Sequence, residues 1–197
     1  MRVISGSAKG RKLMSVPGSG TRPITDRVKG ALFDILGIDI EGATFLDLFA
    51  GTGSVGIEAL SRGASQVVFV ERARKAIATV QRNLEITGLT ERAEIVREDA
   101  FHFIQRASPG RAYDYIYVAP PQYRGLWAKV LLLLNAKPLL ASDGLVIVQM
   151  HPKEYRDIST PNLDPVRERQ YGSTVLRFYA PGKAGSARHE EEDHGAD

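Results

Sequence analysis

The chain has 197 residues, 43% hydrophobic and 25% charged, which predicts a folded globular protein of one or two domains. It contains no cysteine, and this excludes disulfides, thiolate zinc sites and a cysteine nucleophile. No apolar stretch is long enough to span a membrane, and no apolar core follows the N-terminal charge as a secretory signal requires. The sequence therefore predicts a cytoplasmic protein with no membrane partner.

The net charge of +3 is unevenly distributed along the chain. Residues 1–30 hold seven basic side chains and one acidic side chain, residues 31–180 are balanced, and residues 181–197 are acidic. A basic arm ahead of a neutral body is typical of a protein that approaches a polyanion from one side. A solvated surface with lysines for solubility would give the same pattern, so charge alone leaves both interpretations open.

The first 20 residues predict a small β unit. Two strand-like runs, residues 2–5 and 12–16, flank a turn with two glycines, and a Pro-Gly-Ser-Gly sequence then breaks the chain. Thr25 or Asp26 can cap a following helix whose apolar residues recur at i, i+3, i+4 and i+7 and which ends near Gly37.

From residue 43 the pattern changes to alternating strands and helices. The predicted strands are residues 44–48, 66–70, 94–96, 113–118 and 145–148, and the predicted helices are residues 55–62, 76–87, 100–106 and 126–140. This alternation predicts an α/β fold, a parallel sheet with helices on both faces. Runs 166–171 and 174–179 about a Gly-Ser turn predict a closing antiparallel hairpin. Residues 181–197 lack large apolar side chains and are predicted to be disordered.

A glycine-rich segment follows the first strand of this series and opens the next helix. Gly51, Gly53 and Gly56 fit G-x-G-x-x-G, and Glu71 ends the next strand 20 residues after Gly51. The pattern predicts a tight turn, a close backbone approach to a nucleoside-containing cofactor and a carboxylate for ribose hydroxyls.

Two further acids discriminate between cofactors. A pyrophosphate would lie at the helix N-terminus, where the nearby carboxylate of Asp47 is unfavourable, whereas that carboxylate suits the ammonium or sulfonium of S-adenosylmethionine. Asp99 can accept a hydrogen bond from an adenine amino group, with Ala100 and Phe101 lining the ring pocket. With the antiparallel hairpin, these features favour a methyltransferase over an NAD-dependent oxidoreductase, which remains an alternative.

Several segments resemble the RsmD family of 16S ribosomal RNA guanine-N2 methyltransferases. They are residues 47–56 with Glu71 and Asp99, residues 21–29, residues 4–6 with 10–13, and residues 171–174. The resemblance covers about residues 1–180 and implies a Rossmann-like class I methyltransferase fold. It implies S-adenosyl-L-methionine as donor, S-adenosyl-L-homocysteine as product and no metal. It also implies methylation of the N2 amino group of one guanine in the helix-31 loop of small-subunit rRNA.

On this resemblance the chain divides into an RNA-binding N-terminal β-hairpin extension (residues 1–20), a methyltransferase domain (residues 21–180) and an acidic tail (residues 181–197). The implied partner is 16S rRNA or the assembled small subunit, bound by a monomer. The expected cofactor-binding residues are Arg22, Thr25, Asp47, Phe49, Gly51, Gly53, Glu71, Asp99 and Ala100. The residues assigned to rRNA phosphates are Lys9, Arg11, Lys12, Arg27, Lys29 and Arg124.

The chain departs from the family pattern after the fourth strand, where family members carry Asp-Pro-Pro-Tyr or a close relative. Ala119 stands in place of the acid that would accept a hydrogen bond from the guanine amino group. The remaining acceptors are the carbonyls of Ala119 and Pro120 and the side chain of Gln122, and Tyr123 is a candidate to stack on a flipped purine. The candidate catalytic set is Ala119, Pro120, Pro121, Gln122 and Tyr123. The alternative is a ribosome-assembly factor that binds S-adenosylmethionine with weak or no catalysis.

Overall fold

The computed structural model describes residues 1–18, 24–108, 112–137 and 139–182. Its strands are β1 Thr44–Leu48, β2 Gln66–Glu71, β3 Ala93–Arg97, β4 Tyr113–Val118, β5 Leu140–Met150, β6 Leu163–Tyr171 and β7 Thr174–Pro181. Its α-helices are α1 Asp26–Leu36, α2 Ser54–Ser61, α3 Arg74–Thr87, α4 Ala100–Arg106 and α5 Leu126–Ala136. Short 3-10 turns lie at Gly37–Ile40, Thr90–Arg92 and Pro152–Glu154. The alternation predicted from residue 43 is confirmed.

The strands form one sheet in the order β3-β2-β1-β4-β5-β7-β6. The first five strands are parallel, whereas β7 pairs antiparallel with β5 and with β6. The predicted class I methyltransferase architecture, with an antiparallel C-terminal hairpin, is confirmed. Because the chain crosses from β1 to β2 on one side and from β4 to β5 on the other, the carboxyl ends of β1 and β4 meet at a switch point, where open α/β sheets bind ligands.

Two apolar layers cover the sheet. One joins α1, α2, α3 and the N-terminal segment to the face that carries Phe45 and Phe69, and the other joins α4 and α5 to the face that carries Leu46 and Leu48. Consecutive β1 residues thus enter opposite layers, as the two-residue period of a strand requires. None of the helices in the described ranges is long and apolar enough to cross a membrane.

One predicted boundary is wrong. The helix predicted over residues 126–140 ends at Ala136, and Leu140 begins β5, because a short apolar run fits a buried strand as well as a helix. The predicted N-terminal β unit is short: it has one antiparallel bridge, between Arg2 and Lys12, and further backbone hydrogen bonds join its two runs. Residues 1–18, hereafter the N-terminal arm, also form hydrogen bonds with Glu58 and Ser61 of α2. Most of the tail predicted to be disordered, residues 183–197, lies outside the described residues.

Candidate cofactor and base-binding site

The backbone between β1 and α2 turns through left-handed conformations. The φ angles are 68° at Phe49, 57° at Gly51 and 74° at Gly53. The Gly53 N–H donates to the Ala50 carbonyl at 2.7 Å, which closes the turn. We call residues 50–54 the glycine loop. Phe49 has a side chain and still adopts positive φ, a conformation that persists only where the surroundings impose it and that is concentrated at functional sites.

The third glycine of the motif serves packing. A Cβ built on Gly56 would lie 2.4 Å from Cε1 of Phe69 and 2.8 Å from Cγ1 of Val67, both on β2. Glycine is therefore required for the first turn of α2 to approach the sheet this closely. This close approach places the N-terminus of α2, and hence the glycine loop, directly above the end of β1.

Asp47 lies beneath the glycine loop, with only 2% of its surface exposed. Its Oδ2 accepts a hydrogen bond from the Gly56 N–H at 3.2 Å. Burial raises the pKa of the Asp47 carboxyl to about 7, the Gly56 hydrogen bond opposes this rise, and the charge of Glu71 adds to it. The sequence predicts that the Asp47 carboxylate favours a cationic ligand, and in this buried position it would act on a ligand in the glycine loop through its electric field.

Glu71 shapes the same loop from the end of β2. Its Oε2 accepts from the Gly51 N–H at 3.0 Å, and its Oε1 accepts from the N–H groups of Arg72 and Ala73, each at 2.9 Å. A carboxylate offers about four acceptor sites, so one site remains on Oε2 for an incoming hydroxyl. The predicted ribose acceptor is thus also a structural link between the glycine loop and the start of α3.

The end of β3 provides the third acid. Asp99 caps α4 by accepting from the Phe101 N–H at 3.0 Å, and it also lies 3.4 Å from the Arg72 guanidinium. Its side chain is 41% exposed, so the carboxylate remains open to a ligand. The Phe49 and Phe101 rings meet edge-on, with centroids 6.3 Å apart. Ala100 is the first residue of α4 and is buried, and its place beside an adenine ring stays a prediction.

The loop after β4 faces the glycine loop across the switch point. Ala119 is half-buried and Pro120 is buried, whereas Pro121, Gln122 and Tyr123 are exposed. The Gln122 side chain makes no hydrogen bond within the described part of the chain. Tyr123 is 67% exposed and has a φ of 62°. Tyr123 and Phe49 are the only non-glycine residues of the described ranges with positive φ. Phe49 directly follows β1, and Tyr123 lies in the loop after the adjacent strand, β4.

A segment after β5 fixes the position of Tyr123. Glu154 accepts from the Tyr123 N–H at 2.5 Å and from the His151 N–H at 3.3 Å. The rings of Tyr123 and His151 lie 5.3 Å apart, and the buried Trp127 donates its indole N–H to the Glu154 carbonyl. The Tyr123 ring is therefore exposed, and its position is set by the hydrogen bond of its backbone N–H and by its contact with the His151 ring.

The residues predicted to contact phosphate differ in burial. Five of them have exposed side chains: Lys9, Arg11, Lys12, Arg27 and Arg124. Lys29 is fully buried, its Nζ lies 3.2 Å from Oε2 of Glu58, and it donates to the Arg2 carbonyl at 2.7 Å. The prediction that Lys29 contacts RNA is wrong, because its ammonium has no path to a phosphate. Lys29 lies three residues before the buried Leu32 on the same helix face, a spacing that allows burial without predicting it.

The comparisons with known proteins agree with this geometry. A family model described as "Conserved hypothetical protein 95" matches residues 1–180. The chain is 34% identical over 179 residues to "Ribosomal RNA small subunit methyltransferase D" of Escherichia coli (strain K12), an alignment that covers 91% of this chain and 89% of that protein. It belongs to the RsmD family.

Other relatives support the family assignment. The chain is 40% identical over 181 residues to "Putative rRNA methyltransferase YlbH" of Bacillus subtilis (strain 168), with 91% of this chain and 98% of that protein covered. The solved Escherichia coli structure described as "Putative methyltransferase yhhF" superposes with a TM-score of 0.81 at 34% identity, over 92% of this chain and 98% of that one. Methyltransferases of the RsmD family thus share both the sequence and the fold of this chain, and neither alternative function is favoured.

Two of the predicted cofactor-binding residues, Arg22 and Thr25, belong to the segment that precedes α1. Arg22 falls outside the described residues. Thr25 is exposed and caps α1 by accepting from the Val28 N–H at 3.3 Å, which is the structural role that the sequence also allowed. Within the described ranges there is no group of three or more His, Asp or Glu side chains that could hold a metal ion.

The sequence analysis did not identify three polar residues, the buried Glu58 and Asn83 and the half-buried Glu154. Glu154 orients Tyr123, Glu58 accepts from the Ile4 and Ser5 N–H groups, and Asn83 contacts both the N-terminal arm and the glycine loop. Each lies in a helical or turn segment, where the sequence pattern does not distinguish a solvated polar side chain from one with a tertiary partner. Only the tertiary packing reveals their partners.

Proposed function

We propose that this protein transfers a methyl group from S-adenosyl-L-methionine to the N2 amino group of a guanine in the helix-31 loop of 16S rRNA, in the small ribosomal subunit. The observation that carries the proposal is the juxtaposition, at one switch point, of the glycine loop over Asp47 and the Pro-Pro loop that presents Tyr123. A cofactor pocket and an exposed aromatic platform on neighbouring strand ends fit a base-modifying enzyme. Names of relatives as rRNA methyltransferases support the same substrate class.

The residues present fit S-adenosylmethionine. Glu71 retains one acceptor site for a ribose hydroxyl, Asp99 presents a half-exposed carboxylate to the adenine side, and the buried Asp47 supplies negative potential under the loop. When bound, S-adenosylmethionine supplies a methyl group already activated by its sulfonium. The protein's task is therefore mainly to position the guanine amino group in line with that methyl.

Positioning falls to the loop after β4. Tyr123 provides the stacking surface, and the Gln122 side chain with the carbonyls of Ala119 and Pro120 provides acceptors for the amino protons. Accepting a hydrogen bond from the amino group orients its nitrogen and favours loss of its proton to solvent once the new N–C bond has formed. The exposed Lys9, Arg11 and Lys12 supply phosphate contacts on the N-terminal arm, and Arg27 and Arg124 supply others.

The proposal is tested by transfer of a labelled methyl group from S-adenosylmethionine to small-subunit particles that lack the modification, followed by identification of the modified nucleoside. N2-methylguanosine at a helix-31 position is the expected product. Tight binding of S-adenosylhomocysteine with no transfer would instead favour the non-catalytic assembly factor. A monomeric state and a cytoplasmic location remain predictions.

Changing Ala119 to Asp is expected to alter kcat by less than about tenfold, because positioning supplies most of the acceleration. The matched control is Ala119→Asn, which adds an acceptor of similar size without a charge. The measurement is kcat for methyl transfer to the same particles at saturating cofactor. A rise of about 10²–10⁴-fold, the range that a general acid or base contributes, would contradict the expectation and show that the natural site lacks an acceptor.

Affinity for S-adenosylmethionine is expected to increase with pH across the pKa of Asp47. Because burial raises this pKa to about 7, the carboxyl is neutral at lower pH and must lose its proton before it can stabilise a cation. The affinity should therefore fall by up to about tenfold for each pH unit below the pKa. Equilibrium binding between pH 5 and pH 8 measures this dependence, and Asp47→Asn should abolish it. An identical pH profile in the Asn variant would contradict the prediction.

A further inference from the structure

Asn83 lies on α3 with its side chain fully buried. Its Oδ1 accepts from the Met14 N–H at 2.7 Å, and its Nδ2 donates to the Met14 carbonyl at 3.1 Å and to the Thr52 carbonyl at 2.9 Å. One carboxamide thus joins the N-terminal arm, α3 and the glycine loop. These partners are 69 and 31 positions away in sequence.

The chemistry of these contacts requires an amide. An amide both accepts and donates twice, so it can pair with the N–H and the carbonyl of Met14 as a neighbouring strand would, and still hold Thr52. A carboxylate can accept from the Met14 N–H but cannot donate to either carbonyl. An apolar side chain can satisfy none of the three groups.

The bond to Thr52 fixes the orientation of a peptide unit. The Thr52 carbonyl and the Gly53 N–H belong to the same planar peptide, and they are held by Asn83 and by the Ala50 carbonyl, respectively. Val80, one turn earlier on α3, also contacts this unit, since a Cβ on Gly53 would lie 3.2 Å from its side chain. The conformation of the glycine loop therefore depends on α3 and, through Asn83, on where Met14 lies.

A second buried side chain makes an equivalent connection. The Lys29 Nζ donates to the Arg2 carbonyl at 2.7 Å and to the Ser54 carbonyl at 3.4 Å. The arm is thus connected to the glycine loop at two points, through Asn83 at Thr52 and through Lys29 at Ser54. Between these attachment points the arm carries the exposed Lys9, Arg11 and Lys12, the proposed phosphate contacts.

We propose that Asn83 is a positioning residue that couples RNA binding on the N-terminal arm to cofactor binding in the glycine loop. The inference rests on the proposed function. RNA that binds the docked arm holds Met14 in place, and Met14 holds the Asn83 amide that orients the Thr52–Gly53 peptide. Because coupling between two binding sites is reciprocal, a bound cofactor must strengthen RNA binding by the same factor.

The coupling is measured as the ratio of two dissociation constants for labelled S-adenosylhomocysteine, without and with saturating unmodified small-subunit particles. We expect a ratio of about 5–150 for the wild-type protein, the usual range for allosteric coupling. In Asn83→Asp the ratio should fall to about 1, because the acceptor for Met14 remains while the donor to Thr52 is lost. Gln81→Ala, an exposed uncharged change two residues earlier on the same helix, should retain the wild-type ratio.

Two results would overturn the inference. A ratio near 1 in the wild-type protein shows that no coupling exists, and this measurement needs no variant. An unchanged ratio in Asn83→Asp, with only a lower melting temperature, shows a purely structural residue. If Asn83→Asp does not fold, Asn83→Ser carries the test, since it shortens the side chain without adding a charge. Methyl transfer by the wild-type protein to the same particles is assayed in parallel, so a failed coupling is distinguishable from a failed proposed function.

Discussion

Replacing Lys29 with methionine is expected to lower the free energy of unfolding by about 3–5 kcal/mol, the cost of removing one partner from a buried ion pair. Both side chains of the Lys29–Glu58 pair are completely buried. Burial lowers the pKa of Lys29, and the Glu58 carboxylate opposes that shift by attraction and by a hydrogen bond. Methionine preserves most of the volume, so the loss reports on the charge and its hydrogen bonds rather than on a cavity.

The loss should lie near the lower end of this range. Glu58 keeps a second cationic partner, Arg62, whose Nε lies 2.9 Å from Oε1, and it still accepts from the Ile4 and Ser5 N–H groups. The carbonyls of Arg2 and Ser54 lose their donor. Glu58 therefore remains partly compensated while the arm loses one of its attachments to the glycine loop.

Urea unfolding of the variant and of Lys75→Met measures the effect. Lys75 is an exposed lysine on α3, so its change should alter the stability by less than about 0.5 kcal/mol. Equal losses for the two lysines would contradict the structural role assigned to Lys29. If Lys29→Met were fully stable but bound RNA much more weakly, Lys29 would have to be a phosphate-binding residue after all.

Replacing Tyr123 with alanine is expected to lower kcat/KM for the RNA substrate by about 5–150-fold, because stacking of a base on an aromatic ring contributes about 1–3 kcal/mol. The affinity for S-adenosylhomocysteine should not change, since the ring lies on the loop after β4 and not in the glycine loop. Tyr123→Phe keeps the ring and should retain most of the activity. Initial rates of labelled methyl transfer at varied particle concentration give the ratio.

The backbone at Tyr123 provides an independent check. Its φ of 62° is unfavourable for any side chain, so Tyr123→Gly should relieve conformational strain while removing the ring. We expect this variant to be at least as stable as the wild type and as inactive as Tyr123→Ala. Ile38→Ala is the matched surface control, because this exposed residue precedes β1 and therefore lies at the amino ends of the parallel strands, away from the loop after β4. Activity within twofold of wild type in Tyr123→Gly would exclude the ring as the base platform.

The strand and helix pattern of the body was predictable because each element has a clear period. Residues 44–48, 113–118 and 100–106 occupy the predicted elements residue for residue. The glycine loop was equally accessible, since left-handed turns and close helix–strand packing require glycine at specific positions. The resemblance to the family then indicated that the loop after β4 lies with the glycine loop at the carboxyl ends of the parallel strands.

The side-chain environments were not predictable from the sequence. Lys29 looks like one more basic residue of a positive arm, yet it lies at 0% exposure beside a glutamate 29 positions away. Asp47 looks like a ligand-facing acid, yet the loop covers it. The burial of both side chains depends on the long-range packing of α2, and the local pattern of hydrophobic residues does not encode that packing.

The attachment of the arm to α2 and α3 has a consequence for synthesis of the chain. Residues 4, 5, 8 and 14 bond to side chains that lie 53–69 positions further along. At a translation rate of about 5–20 residues per second, the arm is made about 3–14 s before its docking partners. During that interval the nascent arm is a short basic peptide with nothing to fold against. Its docked structure can form only after α2 and α3, which carry those side chains, have been made.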